Sequence, residues 1–205
     1  MLLNDEIDIG LVPVAIIPQM REAYITTDYC IGAEGDVASV AVFSEVPIHE
    51  VDTLLLDYQS RTSVNLARIL VKEYWKKELL IQNTREDFRG LIKGNTAAVV
   101  IGDRALEQRK TSKYVYDLAG AWKAHTGLPF VFAAWVANKK LAADFEDAFN
   151  RANGYGIKHI DEVIAGQPAY QTYDLKKYYT ENISYKLTDE KREGLALFLE
   201  KMKSL

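Results

Sequence analysis

Apolar residues run in short blocks separated by turn residues, with stretches of helical spacing between them. Ile7-Asp8-Ile9-Gly10-Leu11-Val12 reads as a buried strand, and Pro13 before Val14-Ala15-Ile16-Ile17 can open a short helix, since proline is tolerated in a first turn. Tyr24 to Ile31 and Val37 to Ser44 are rich in β-branched and aromatic residues and are split by Gly32, Glu34-Gly35 and Asp36, which predicts two strands with a turn. Thr53-Leu54-Leu55-Leu56-Asp57 reads as a short strand. A helix follows from about Arg61 to Lys77, with Val64, Ala67, Leu70, Val71 and Tyr74 at helical spacing. The pattern continues with a helix near Thr84 to Lys93, the strand Ala97 to Ile101, a helix from Asp117 to Ala124 ended by Gly127 and Pro129, and the strand Phe130 to Val136. From Leu141 onward the period is helical, with breaks near Asn153-Gly154 and Gly166-Gln167-Pro168 and a restart at Thr188, an N-cap three residues before Lys191. This alternation predicts an α/β fold of mostly parallel sheets covered by helices, with a helical C-terminal tail.

Composition narrows the functional classes. With 205 residues, 48% of them hydrophobic, the chain can bury a sizeable core as one large domain or two small lobes. Cys30 stands alone, so no intramolecular disulfide is expected, and three scattered histidines without a CxxC give no metal-binding spacing. The longest nearly unbroken apolar run, Leu128 to Ala137, contains a proline and falls far short of the ~18–20 residues that span a bilayer, so no membrane partner is expected. Met1-Leu2-Leu3-Asn4-Asp5-Glu6 lacks the features of a secretory signal, and a reducing, cytoplasmic setting is the expectation. A net charge of −4 with dispersed lysines and arginines gives no reason to expect a nucleic acid partner. The oligomeric state stays open.

Candidate chemistry gathers at three places. In Asp57-Tyr58-Gln59-Ser60-Arg61-Thr62-Ser63 a buried strand ends and a helix begins with three hydroxyls and a guanidinium. A helix start exposes unpaired N–H groups and positive dipole, so this segment suits a carboxylate or phosphate; alternatively Ser60 or Thr62 only caps the helix and Arg61 is solvated. Ile101-Gly102-Asp103-Arg104 is a second strand-to-helix step, where Gly102 permits close approach of a ligand and Asp103 is either a ligand-facing acid or an N-cap. Ser39, inside the apolar strand Val37 to Val42, needs a hydrogen-bond partner, whether ligand or backbone. No GxSxG, P-loop or GxGxxG is present, and His49, His125 and His159 read as structural or solvated. The tyrosines Tyr170, Tyr173, Tyr178 and Tyr179, interleaved with Lys176-Lys177, suit helix packing better than a stacking platform.

Four ordered segments carry a resemblance. They are Leu56-Asp57-Tyr58-Gln59-Ser60-Arg61-Thr62-Ser63, Val99-Val100-Ile101-Gly102-Asp103-Arg104-Ala105-Leu106, Tyr116-Asp117-Leu118 with Trp122, and Thr126-Gly127-Leu128-Pro129-Phe130-Val131-Phe132-Ala133-Ala134-Trp135. Together they resemble the chorismate dehydratase family of the futalosine route to menaquinone. The resemblance implies a two-lobed fold like that of type 2 periplasmic binding proteins, with Val37 to Ser44 and Phe130 to Val136 as crossing strands. Residues 1–43 and 132–205 would then form one lobe and 44–131 the other. It implies conversion of chorismate to 3-[(1-carboxyvinyl)oxy]benzoate and water, a lyase reaction without metal or organic cofactor, in which the substrate's own enolpyruvyl carboxylate takes the ring proton. Ser39 and Thr62 are then expected at the catalytic centre, with Ser39, Ser60, Arg61, Thr62, Ser63, Gly102 and Asp103 around the substrate.

Two competing readings share the fold. A 1,4-dihydroxy-6-naphthoate synthase would carry a catalytic histidine in the stretch that reads Val100-Ile101-Gly102-Asp103 here, and a non-catalytic carboxylate-binding protein would use the same anion site without turnover. The resemblance also implies a further N-terminal segment, with a first strand and an asparagine for the active site. Met1 is on that view expected to be an internal start, leaving one lobe without a strand.

Overall fold

A computed structural model describes residues 1–168 and 172–205. In chain order the strands are β1 (Ile9–Pro13), β2 (Tyr24–Ala33), β3 (Val40–Ser44), β4 (Thr53–Leu56), β5 (Leu80–Asn83), β6 (Thr96–Ile101), β7 (Tyr114–Asp117), β8 (Phe130–Ala137) and β9 (Ser184–Lys186). The α-helices are α1 (Thr62–Glu73), α2 (Asp103–Gln108), α3 (Leu118–Thr126), α4 (Ala143–Lys158), α5 (Ile160–Ala165), the single turn α6 (Leu175–Lys177) and α7 (Asp189–Met202).

The strands form two sheets. The first has the order β1-β8-β2-β9 and is antiparallel at every pairing, with Leu11 opposite Trp135 and Cys30 opposite Ala134. The second has the order β5-β4-β6-β3-β7, in which β4 runs parallel to β5 and β6 while β3 runs antiparallel to β6 and β7. The expectation of mostly parallel sheets therefore fails, for a definite reason. A continuous apolar strand reports that both faces are covered, not which way its neighbours run. In β3 and its neighbours, Val40, Val42, Leu54, Leu56, Ala97 and Val99 face the main core. The alternate residues Ala41, Phe43, Leu55, Ala98 and Val100 face a second core with Phe88, Ile92 and Ala105.

The strands expected over Tyr24 to Ile31 and Val37 to Ser44 form as Tyr24–Ala33 and Val40–Ser44; Ser39 lies not inside the second but in a turn before it, and the two strands are in different sheets, so residues 34–39 cross from one sheet to the other. The return passes through α3 and residues 127–129 into β8. The main core runs through both sheets, with Trp122 (α3), Phe130 (β8) and Phe198 (α7) packed edge to face at centroid distances of 5.0–6.3 Å.

Several local expectations are corrected. No α-helix covers Thr84 to Lys93: the Thr84 amide and hydroxyl both bond the Leu56 carbonyl, the chain bends at Arg85 and Glu86, and one 3₁₀ turn, Arg89–Leu91, follows between Phe88 and Ile92. Asn153-Gly154 does not break α4. Asn153 accepts from the Trp135 indole at 3.1 Å, and a Cβ on Gly154 would sit 2.7 Å from the Tyr29 hydroxyl, so this pair brings the helix close to the sheet. β1 is only half-buried, with Leu11 42% exposed. The tail is not wholly helical, because Tyr178–Asn182 forms a π-turn and β9 joins the first sheet. At Thr188 the expected cap forms, its hydroxyl accepting from the Lys191 amide.

Candidate functional site

The ends of β4 and β6, the start of α1 and the 34–39 crossover meet at a cavity of about 220 Å³. Pro13, Ile31, Val37, Val40 and Phe132 make much of its wall apolar, and Ser39, Ser60, Arg61, Thr62, Ser63, Gly102 and Tyr178 bring polar groups to it. Among the described residues lining it, Arg61 is the one charged side chain.

On the α1 side, buried Asp57 at the end of β4 accepts from the Gln59 and Ile101 amides and from the Arg104 guanidinium at 2.8 Å, and Arg104 also bonds Gln59. This clamp ties the loop that carries Ser60 and Arg61 to β6 and α2. The Ser60 hydroxyl accepts from the Ser63 amide at 3.0 Å, so Ser60 does cap the helix start. The Thr62 hydroxyl donates to the Phe132 carbonyl at 3.0 Å and accepts from the Ala15 amide at 3.3 Å, which joins α1 to the first sheet. Ser63 and Arg61 are spent differently: the Ser63 hydroxyl and the Arg61 guanidinium make no hydrogen bond among the described residues. A carboxylate there would meet first-turn amides, a hydroxyl and a guanidinium.

On the crossover side, the Ser39 amide returns to the Val37 carbonyl at 2.8 Å in a three-residue turn, with Ala38 at φ +65°. Such a backbone persists only where its surroundings hold it. Asp117 accepts from the Val37 and Ala38 amides and also caps α3, while Arg109 bonds both Asp117 and the Ala38 carbonyl. Burial pushes the Asp117 carboxyl up, against the pull of those amides. The Ser39 carbonyl accepts from the Gly102 amide at 2.8 Å, and Gly102 adopts φ +66°, ψ −149°, a conformation open essentially to glycine alone. The Ser39 hydroxyl is met by the Tyr178 hydroxyl at 2.8 Å, not by backbone.

Of the sequence candidates, Ser39, Ser60, Arg61, Thr62, Ser63 and Gly102 thus converge on one cavity. Asp103 does not line it: it is the exposed first residue of α2 and makes no side-chain cap, leaving its carboxylate to face the helix dipole. The residue that sequence reasoning missed is Tyr178. Its spacing groups it with packing tyrosines, and no local signal places it beside Ser39, 139 positions away. Tyr173 and Tyr179 contact its ring, whereas Tyr170 lies outside the described residues. Lys176 pairs with Asp161 on the surface. His125 pairs with Glu73 in the last turn of α3, and His49 and His159 lie at surface turns away from the cavity. Cys30 is buried, and burial pushes its thiol up to about 11, which makes it a poor nucleophile at neutral pH. Among the described residues no group of three or more His, Cys, Asp or Glu side chains is placed to hold a metal, and no helix is long and apolar enough to cross a membrane.

The chain is thus a mixed α/β protein with a small cavity between two sheets, part apolar and part lined by hydroxyl-bearing residues and one arginine. A family model described as menaquinone biosynthesis matches residues 1–204, and the chain belongs to that family. It is 25% identical over 222 aligned positions to a chorismate dehydratase of Thermus thermophilus, covering 98% of this chain and 81% of that protein. It is 30% identical over 112 positions to a chorismate dehydratase of Campylobacter jejuni, covering 52% of this chain and 49% of that one. Among solved structures it resembles a protein of Archaeoglobus fulgidus, with a TM-score of 0.69, 14% identity and coverage of 98% of this chain and 80% of that one. It also resembles an ABC transporter from Parabacteroides distasonis, with a TM-score of 0.63, 16% identity and coverage of 99% and 76%. The two structural likenesses speak to the fold alone.

Proposed function

We propose that this chain is a chorismate dehydratase, a hydro-lyase of menaquinone biosynthesis that converts chorismate to 3-[(1-carboxyvinyl)oxy]benzoate and water. The full-length family match and the two dehydratase relatives support the reaction class. The observation that carries it at the site is the character of the cavity: Arg61, Ser63 and Ser39 can hold a dianion, while no Asp, Glu, His or Lys lines it among the described residues. Dehydration with aromatisation suits such a site. The ring proton goes to the substrate's own enolpyruvyl carboxylate, hydroxide leaves and takes that proton as water, and the protein fixes the pose and stabilises developing charge. At about 220 Å³ the cavity lies at the small end of ligand sites.

In this reading Arg61, Ser63 and the first-turn amides of α1 hold one carboxylate, and Ser39 contacts the substrate at the opposite rim. Thr62 contributes its backbone, since its hydroxyl is engaged. Gly102 occupies the place where the naphthoate synthase reading needs a histidine, which favours the dehydratase. The reading also takes the chain as cytoplasmic and as two lobes in the manner of type 2 periplasmic binding proteins. Sheet membership favours crossings at about 34–39 and 118–129 over boundaries at 43 and 131.

Incubation with chorismate, followed by chromatography with mass detection, tests the function. The protein should form a product lighter by one water, and Arg61→Ala should raise KM about tenfold, as expected for a lost charge-assisted contact. Chorismate binding with no product would establish the carboxylate-binding alternative.

A further inference from the structure

Ser39 is held at every point except its side-chain torsion. Its amide bonds the Val37 carbonyl and its carbonyl accepts from Gly102, while Asp117 and Arg109 grip the two residues before it. A serine so placed can still turn its hydroxyl among three rotamers. Among the described residues, the group that meets that hydroxyl is the phenol of Tyr178, at 2.8 Å, delivered by the π-turn of the C-terminal tail. That turn is anchored to the same crossover a second time, where the Asn182 amide donates to the Asp36 carbonyl at 3.0 Å. Tyr173 in turn donates to Asn182. Ser39 and Tyr178 both line the cavity, as do Arg61 and Ser63.

Between the two hydroxyls the phenol is the stronger donor, so Ser39 accepts from Tyr178 and keeps its own hydrogen to give elsewhere. With backbone and torsion fixed, and Ile31, Val37, Val40 and Phe132 apolar around it, that hydrogen is directed at whatever anion fills the cavity. We propose that Tyr178 is a positioning residue: by accepting no share of Ser39's hydrogen and donating its own, it presets Ser39 as a hydrogen-bond donor to the oxygen of bound chorismate. The tail of the chain thereby completes a site whose other parts come from residues 13–133. This rests on the function proposed above and adds to it a residue role and its partner.

A double-mutant cycle on the full chain tests it, read separately in chorismate affinity by calorimetry and in turnover. Tyr178→Phe keeps the ring and removes the hydroxyl, and should lower kcat/KM about tenfold. Ser39→Ala should lower it by at least as much, and Tyr178→Phe in the Ser39→Ala background should change it less than twofold, because the hydroxyl to be oriented is gone. Lys176→Ala removes a surface ion pair with Asp161 from the same tail without touching Tyr178, Asn182 or the cavity, and should stay within twofold of the wild type. Multiplying losses in the cycle, or an equal loss in Lys176→Ala, would show that Tyr178 only packs the tail and would overturn the proposal. Absence of wild-type turnover would overturn the dehydratase reading alone. The affinity cycle would then decide the Tyr178–Ser39 coupling by itself, and additive affinity losses would sink it.

Discussion

The two rims of the cavity use hydroxyl groups in opposite ways. On the α1 rim, Ser60 and Thr62 are spent on amides and a carbonyl of the protein itself, so two of the three hydroxyls in the most conspicuous motif are scaffold. Arg61 and Ser63 are what the rim has left for a ligand. On the crossover rim the scaffold is built from charged groups and backbone, through Asp117, Arg109 and Gly102, and the Tyr178 hydroxyl donates to that of Ser39. A cluster of hydroxyls in sequence therefore marks a place where backbone must be satisfied, and its residues become ligand groups only when that demand is already met.

The largest effect on either rim is expected at Asp57. Asp57→Ala leaves the largely buried Arg104 guanidinium and the Ile101 amide without their acceptor, and should cost about 3–5 kcal/mol in a denaturant melt, as for other broken buried ion pairs. An unchanged melt would mean that the clamp does not hold the α1 rim. Thr62→Ala strands the Phe132 carbonyl and the Ala15 amide and should cost about 1–3 kcal/mol, whereas Thr62→Ser should retain most of that. If Thr62→Ala keeps full stability but loses chorismate affinity, its hydroxyl belongs to the ligand and the contrast between the rims fails.

The smallest expected effect lies outside both rims and serves as their reference. The hydrogen bond from Lys201 above all holds the Glu73 carboxyl below the ordinary 4.5; burial opposes it, and His125 adds a weaker pull in the same direction as Lys201. Ionised Glu73 therefore stabilises the fold above that pH, and the contribution fades as pH falls through the lowered value. Glu73→Gln should flatten the acid limb of a stability–pH curve below about 4.5 while leaving chorismate turnover at neutral pH unaltered.

Legibility in the sequence followed range. Strands β4, β6 and β8 and helices α1 and α3 stand close to where periodicity and caps put them, because each is decided by residues within one or two turns. The stretch 84–93 misled because Thr84 joins the β4 carbonyls and Phe88 and Ile92 serve a core that no helical period describes. Asn153-Gly154 looked like a turn, and only the nearness of Tyr29 and Trp135 explains its place inside a helix.

Where strands give way to helices is written in local sequence, and with it where first-turn amides, Arg61 and Ser63 would be offered to an anion. Strand direction lay beyond it, because apolar alternation records burial and is blind to the sense of the neighbouring chain. Tyr178 lay beyond it for a related reason. A hydroxyl becomes the partner of another 139 residues away only when the crossover, the π-turn and the strands between them have packed, and that closure is a property of the tertiary structure alone.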